Sequence, residues 1–142
     1  MHIGHEMRRL RAEHAALVTL SQMLMDLIAA PEPPRPTELA SVRGMLRDTL
    51  IRHLKCEDWA LYPRLKASGD AAIVGLATGF VDEMGHIAQD FEAYDHKWSA
   101  DRIAADWPGF ARETKAILDV LAIRIEREES DLYPVAEGVD LG

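Results

Sequence analysis

Apolar residues return along the chain at the spacing of one helix face, and the alternation expected of half-buried strands is almost absent. The pattern predicts four long helices. Helix A runs from about Gly4 to Ala30 and ends at Pro31-Glu32-Pro33-Pro34-Arg35-Pro36, which cannot continue a helix. Helix B spans about 37–67, with Thr37 as its expected cap and Ser68-Gly69-Asp70 as the turn that follows. Helix C covers about 70–98. A loop containing Asp106-Trp107-Pro108-Gly109 leads into helix D, about 108–133, which should stop before Pro134. A short tail ending Gly138-Val139-Asp140-Leu141-Gly142 is expected to fray.

Each helix carries an apolar stripe, and the plain reading of every stripe is core packing. On A it is Leu10, Leu17, Leu24 and Ile28; on B, Leu39, Leu46, Leu50, Leu54 and Leu61. On C it is Ile73, Phe80, Ile87, Phe91 and Tyr94; on D, Phe110, Ile117, Leu118, Leu121, Ile125 and Leu132. Four helices of similar length with short connections predict an all-α fold, an antiparallel up-down four-helix bundle, formed as one domain over 1–142.

Composition narrows the function. The chain has 142 residues, 48% of them hydrophobic and 28% charged, as in a globular protein. Sixteen Lys and Arg against 24 Asp and Glu give a net charge of -8, which argues against nucleic acid or an anionic membrane as partner. The single cysteine, Cys56, excludes an internal disulfide and every cysteine-based zinc pattern, and its plain reading is a small buried apolar residue. No apolar run has the length of a membrane span, and the first residues, MHIGHEMRRLRAEH, lack the apolar core of a signal peptide. The expected location is the cytoplasm. Trp59, Trp98 and Trp107 fall near helix ends, where they would close the bundle or form a contact surface. No nucleophile triad, phosphate-binding loop or dinucleotide fingerprint is present.

The chemistry lies in what interrupts the stripes. At ~100° per residue, Glu57 falls between Leu50, Leu54 and Leu61, and Glu128 between Leu121, Ile125 and Leu132. A carboxylate there is costly unless it is paired, protonated or bound to a metal. His14 flanks the A stripe, and His53 lies one turn before Glu57 on the same face. A lone histidine beside a stripe is ordinarily a satisfied core residue. Two histidines and two glutamates at one level of a bundle form a metal-site pattern.

These segments resemble the hemerythrin-like (HHE cation-binding) family. The matching residues are Arg11-Ala12-Glu13-His14 on A, His53 to Glu57 followed by Leu61-Tyr62-Pro63 on B, and Glu128-Glu129 followed by Leu132-Tyr133-Pro134 on D. The resemblance implies a four-helix bundle around a non-heme di-iron site, serving oxygen binding, oxygen or redox sensing, iron handling or repair of iron clusters. It also implies a ligand set of one His on A, HxxxE on B, one His on C and HxxxE on D.

This chain departs from that set. Its halves can be laid on each other, Glu57 to Pro63 on Glu128 to Pro134 and Leu10, Leu17 and Leu24 on Phe80, Ile87 and Tyr94. Arg124 then stands where the first half has His53, and Met84 where it has His14. His86 is the one remaining candidate on C, but it lies about 120° from Phe80, off the stripe. Glu83 and Asp90 sit nearer the core edge, and His2, His5 and His96 read as terminal or surface residues.

Arginine stays protonated and is no ordinary ligand, but it pairs well with carboxylates. The expectation is therefore a reduced site: His14, His53, Glu57 and Glu128 around one ion, with Arg124 supplying the charge of the second. Iron(II), zinc and manganese(II) all suit such donors. Three functions follow. One is a sensor binding a small ligand such as oxygen or nitric oxide, or reporting iron. Another is a small enzyme acting on peroxide, nitric oxide or iron clusters, for which no dedicated acid or base is visible. The third is a metal-free interaction module, a homodimer or a partner of another protein, in which Arg124 alone neutralises the glutamates.

Overall fold

A computed structural model describes residues 3–138. Helix α1 spans Ile3–Ile28 and α2 Pro36–Cys56; a π-helical turn over Glu57–Leu61 then joins α2 to α3, Tyr62–Lys66. Helices α4 (Ala71–Met84), α5 (Ile87–Lys97) and α6 (Ala100–Ala105) lead to α7, Trp107–Arg127. A second π-helical turn, Glu128–Leu132, carries the chain into α8, Tyr133–Gly138. Among the described residues there is no strand. No helix among them is long and apolar enough to cross a membrane. His2 and residues 139–142 of the expected tail lie outside the described residues.

Helix α1 packs along α2 and against α7 and α8, α3 packs on α4, and α5 and α6 pack on α7. The apolar stripes meet in two clusters. One holds Leu17, Leu24, Leu46, Leu50, Leu54, Phe91, Trp98, Trp107, Phe110, Leu121 and Ile125. The other holds Met7, Leu10, Leu61, Leu65, Phe80 and Leu132. Along α1 the division falls between Leu10 and Leu17; along the other helical segments it falls between Leu54 and Leu61, Phe80 and Phe91, and Ile125 and Leu132. His14, Glu57 and Glu128 occupy those intervals, so a buried polar layer separates two dry cores.

The helices depart from expectation where the backbone has a local reason. Helix α2 begins at Pro36 behind Arg35, which makes no side-chain cap, so Thr37 lies in the first turn and is not the cap. Asp70 does cap α4, accepting from the N–H groups of Ala72 (2.9 Å) and Ile73 (3.4 Å), after Gly69 turns the chain at φ 78°. The expected loop before helix D contains α6, capped by Ser99 Oγ on the N–H of Arg102. Trp98 and Trp107 are buried, whereas Trp59 is 78% exposed. Pro134 does not end the last helix. It enters α8 just behind the π-turn.

Helix C, expected to run unbroken over 70–98, is divided at Gly85-His86. The Gly85 N–H donates to Val81 O at 2.7 Å, and a Cβ on Gly85 would lie 2.5 Å from that same oxygen. The close approach, not an unusual φ, makes glycine necessary. Gly85→Ala should therefore cost about 1–3 kcal/mol by forcing the turn open. Urea unfolding measures this; a loss below about 0.5 kcal/mol, the range of an inert surface change, would contradict it.

Candidate metal centre

Two prolines shape the centre. Pro63 and Pro134 have no N–H, and their rings collide with the carbonyl four residues back in an ordinary α-helix. The chain widens into a π-turn ahead of each, with the Tyr62 N–H bonded to Glu57 O and the Tyr133 N–H to Glu128 O. In an unbroken α-helix a residue five positions on would face about 140° away. The inserted residue cuts that rotation to about 40°. Glu57 and Tyr62 both point inward, as do Glu128 and Tyr133, and all four are buried.

His14, His53, Glu57 and Glu128 meet in the polar layer, each offering one donor atom, with all four atoms within 4.8 Å of one another. His14 Nε2 lies 2.7 Å from Glu128 Oε1. His53 Nε2 lies 3.3 Å from Glu57 Oε1 and 3.6 Å from Glu128 Oε1. The other ring nitrogens are held from outside. His53 Nδ1 is 3.1 Å from Glu13 Oε1, and His14 Nδ1 is 2.7 Å from Glu129 Oε1. Arg9 supports Glu13 at 3.5 Å, and Arg11 pairs with Glu129. Each Nδ1–H thus donates to a carboxylate and leaves Nε2 directed inward, the orientation in which an imidazole serves as a ligand.

Arg124 fills the opposite side. Its Nη2 donates to Glu57 Oε1 at 3.0 Å and its Nε to Glu128 Oε2 at 3.4 Å. Nη1 donates to Met84 O at 2.9 Å, a carbonyl at the break between α4 and α5. The tyrosines cross between the halves: Tyr62 donates to Glu128 Oε2 at 3.3 Å and Tyr133 to Glu57 Oε2 at 3.0 Å.

Sequence reasoning did not assign roles to Glu13, Glu129, Tyr62 or Tyr133. The signal for the glutamates was their adjacency to His14 and Glu128. The tyrosines were visible only as part of the Leu-Tyr-Pro motif, because uniform helical arithmetic turns them away. His86 is not in the cluster. It lies at the helix break, its side chain 57% exposed and 3.6 Å from Asp90. Met84 contributes its carbonyl. His5 and His96 are exposed. Cys56 is a free thiol, partly buried against the second core cluster.

The layer has its own charge balance. Burial and the facing Glu128 push the Glu57 carboxyl up to about 7, against the pull of His53. Burial also opposes charge on Glu128, but hydrogen bonds from Glu57, His14 and His53 and the Arg124 charge hold it well below the usual carboxylate range. Burial disfavours the His53 imidazolium; hydrogen bonds to Glu128 and Glu57 outweigh that and push it up to about 10. Burial, then the two carboxylates, push both tyrosines far above the usual phenol range.

The donors fit one divalent ion. An ion with bonds of about 2.1 Å spreads its donors to at most about 4.2 Å, so small side-chain shifts suffice. Arg124 stands on Glu128 Oε2 and on Glu57 Oε1, the oxygen that also faces His53.

A family model described as Hemerythrin HHE cation binding domain matches residues 5–136. The chain belongs to this family of cation-binding helical domains, and its histidine–glutamate cluster is a group suited to a metal ion. No curated protein and no solved structure matches it.

Arg124→Met should cost about 3–5 kcal/mol in the metal-free protein, because both glutamates lose their buried cation. Urea unfolding in chelator reads this; an unchanged midpoint would contradict it. The metal-free protein should also lose stability as pH rises. His53 binds its proton more tightly folded than unfolded, so its contribution is whole below about 6.5 and gone by about 10. Glu57 acts in the same direction between about 4.5 and 7. Thermal melts from pH 6 to 10 should show a falling Tm, and a rising Tm would contradict the assignment.

Proposed function

We propose that the protein binds one divalent metal ion, non-heme iron(II) foremost, through His14, His53, Glu57 and Glu128, in an antiparallel four-helix bundle. We assign it a sensing role, reporting a small ligand such as oxygen or nitric oxide, or iron supply. The observation that carries the reading is the orientation of both imidazoles, with Nδ1 held by Glu13 or Glu129 and Nε2 turned inward. Arg124 supplies the positive charge that a second ion would bring. One such ion, when bound, supplies a Lewis-acidic, redox-capable centre of nitrogen and oxygen donors.

Arg124 also favours sensing over carriage. It ties both glutamates to Met84 O at the α4–α5 break, so a change in charge at the centre bears on a surface segment.

A second reading has its own support. Within the centre every fully buried side-chain nitrogen and oxygen has a hydrogen-bond partner without any ion. In that reading the protein is a metal-free interaction module, working as a homodimer or with another protein.

Elemental analysis of protein purified without chelator separates the readings. The proposal requires about one metal per chain, lost in His53→Ala. About two per chain would overturn the single-ion site, and none would establish the metal-free module. Binding must also displace protons from His53 and Glu57. Zinc affinity measured by calorimetry should therefore rise between pH 6 and 8, with net proton release. A pH-independent affinity would contradict ligation by these residues.

A further inference from the structure

The two crossed tyrosines are equivalent in the repeat but not in their surroundings. Tyr62 OH meets Glu128 Oε2 at 3.3 Å and Arg124 Nη2 at 3.5 Å, so it belongs to the guanidinium side. Tyr133 OH meets His14 Nε2 at 3.0 Å, His53 Nε2 at 3.4 Å and Glu57 Oε2 at 3.0 Å. Its oxygen therefore stands within 3.4 Å of both inward imidazole nitrogens and of a Glu57 oxygen. The ring is fixed there. It stacks on His14 with centroids 4.8 Å apart and planes 9° from parallel, and the Arg11 guanidinium carbon lies 5.4 Å from its centroid. That cation packs over the ring face and helps to hold it in place.

We propose that Tyr133 is itself a ligand of the bound ion, coordinating as phenolate, while Tyr62 stays a neutral hydrogen-bond donor on the Arg124 side. The substitution of Arg124 for a histidine thus divides two equivalent tyrosines into one ligand and one support. On ligation the Tyr133 O–H bond breaks, its electron pair forms the bond to the cation, and the proton leaves to solvent. No oxidant or reductant takes part. This inference rests on the single-ion reading and adds to it an oxygen donor that favours a hard, trivalent ion such as iron(III).

The test uses the full metal-free chain, ferric nitrilotriacetate as the iron source, gel filtration, and then both iron content and visible spectrum. The proposal requires bound iron with an intense visible phenolate-to-iron(III) charge-transfer band. The band should vanish in Tyr133→Phe with iron retained, and persist in Tyr62→Phe. Circular dichroism checks that each variant is folded. The chain has three tyrosines, and Tyr94 OH is engaged by Thr114 at 2.6 Å. If Tyr133→Phe does not fold, a wild-type band that survives in both Tyr62→Phe and Tyr94→Phe assigns it to Tyr133. Bound iron without the band overturns this proposal and leaves the single-ion site standing, as does a band that survives in folded Tyr133→Phe. Absence of bound iron(III) overturns this proposal, while the divalent-ion site stands or falls on the metal content of the protein as purified.

Discussion

Glu57 and Glu128 face each other in the middle of the fold, and the rest of the structure is arranged around the charge of that pair. Both are fully removed from water. Two like charges so placed are tolerated only with cations or protons close by. Arg124 is the permanent cation, reaching both carboxylates. The His53 imidazolium, and the proton that burial favours on Glu57, supply the rest of the balance. Without an ion, every fully buried side-chain nitrogen and oxygen of the layer already has a hydrogen-bond partner.

The geometry that presents the pair comes from a motif used twice. Each Glu, three residues, Leu-Tyr-Pro segment forces a π-turn, because proline rejects the ordinary helical path. The extra residue brings a tyrosine onto the same face as the glutamate of its own segment, and each tyrosine then reaches the glutamate of the other. The symmetry is broken where α2 offers His53 and α7 offers Arg124. It is broken again where α1 offers His14 and the α4–α5 break offers only the carbonyl of Met84. An imidazole side and a guanidinium side result, within one buried layer.

Much of this was legible in the sequence. The stripes gave the buried faces, since Leu10, Leu17, Leu24, Leu50, Leu54, Leu61, Phe110 and Leu121 are all in the core. The cost of a carboxylate within a stripe singled out Glu57 and Glu128, and i,i+4 spacing tied His53 to Glu57. Laying one half on the other placed Arg124 opposite His53. The features that stayed hidden depend on departures from uniform helical rotation. A π-turn changes the facing of every residue after it, so periodicity alone does not bring Tyr62 and Tyr133 into the site. The break at Gly85-His86 arises from a close approach of Gly85 to Val81 O, which periodicity does not encode. Glu13 and Glu129 act across helices, and pairing of that kind appears only when the helices are set side by side.

An anomalous difference map at the iron edge, from crystals grown with iron, tests the central claim most directly. One peak per chain is expected, bounded by His14, His53, Glu57 and Glu128, with the Arg124 guanidinium still paired to both glutamates. Two peaks, with Arg124 displaced from the carboxylates, would contradict it.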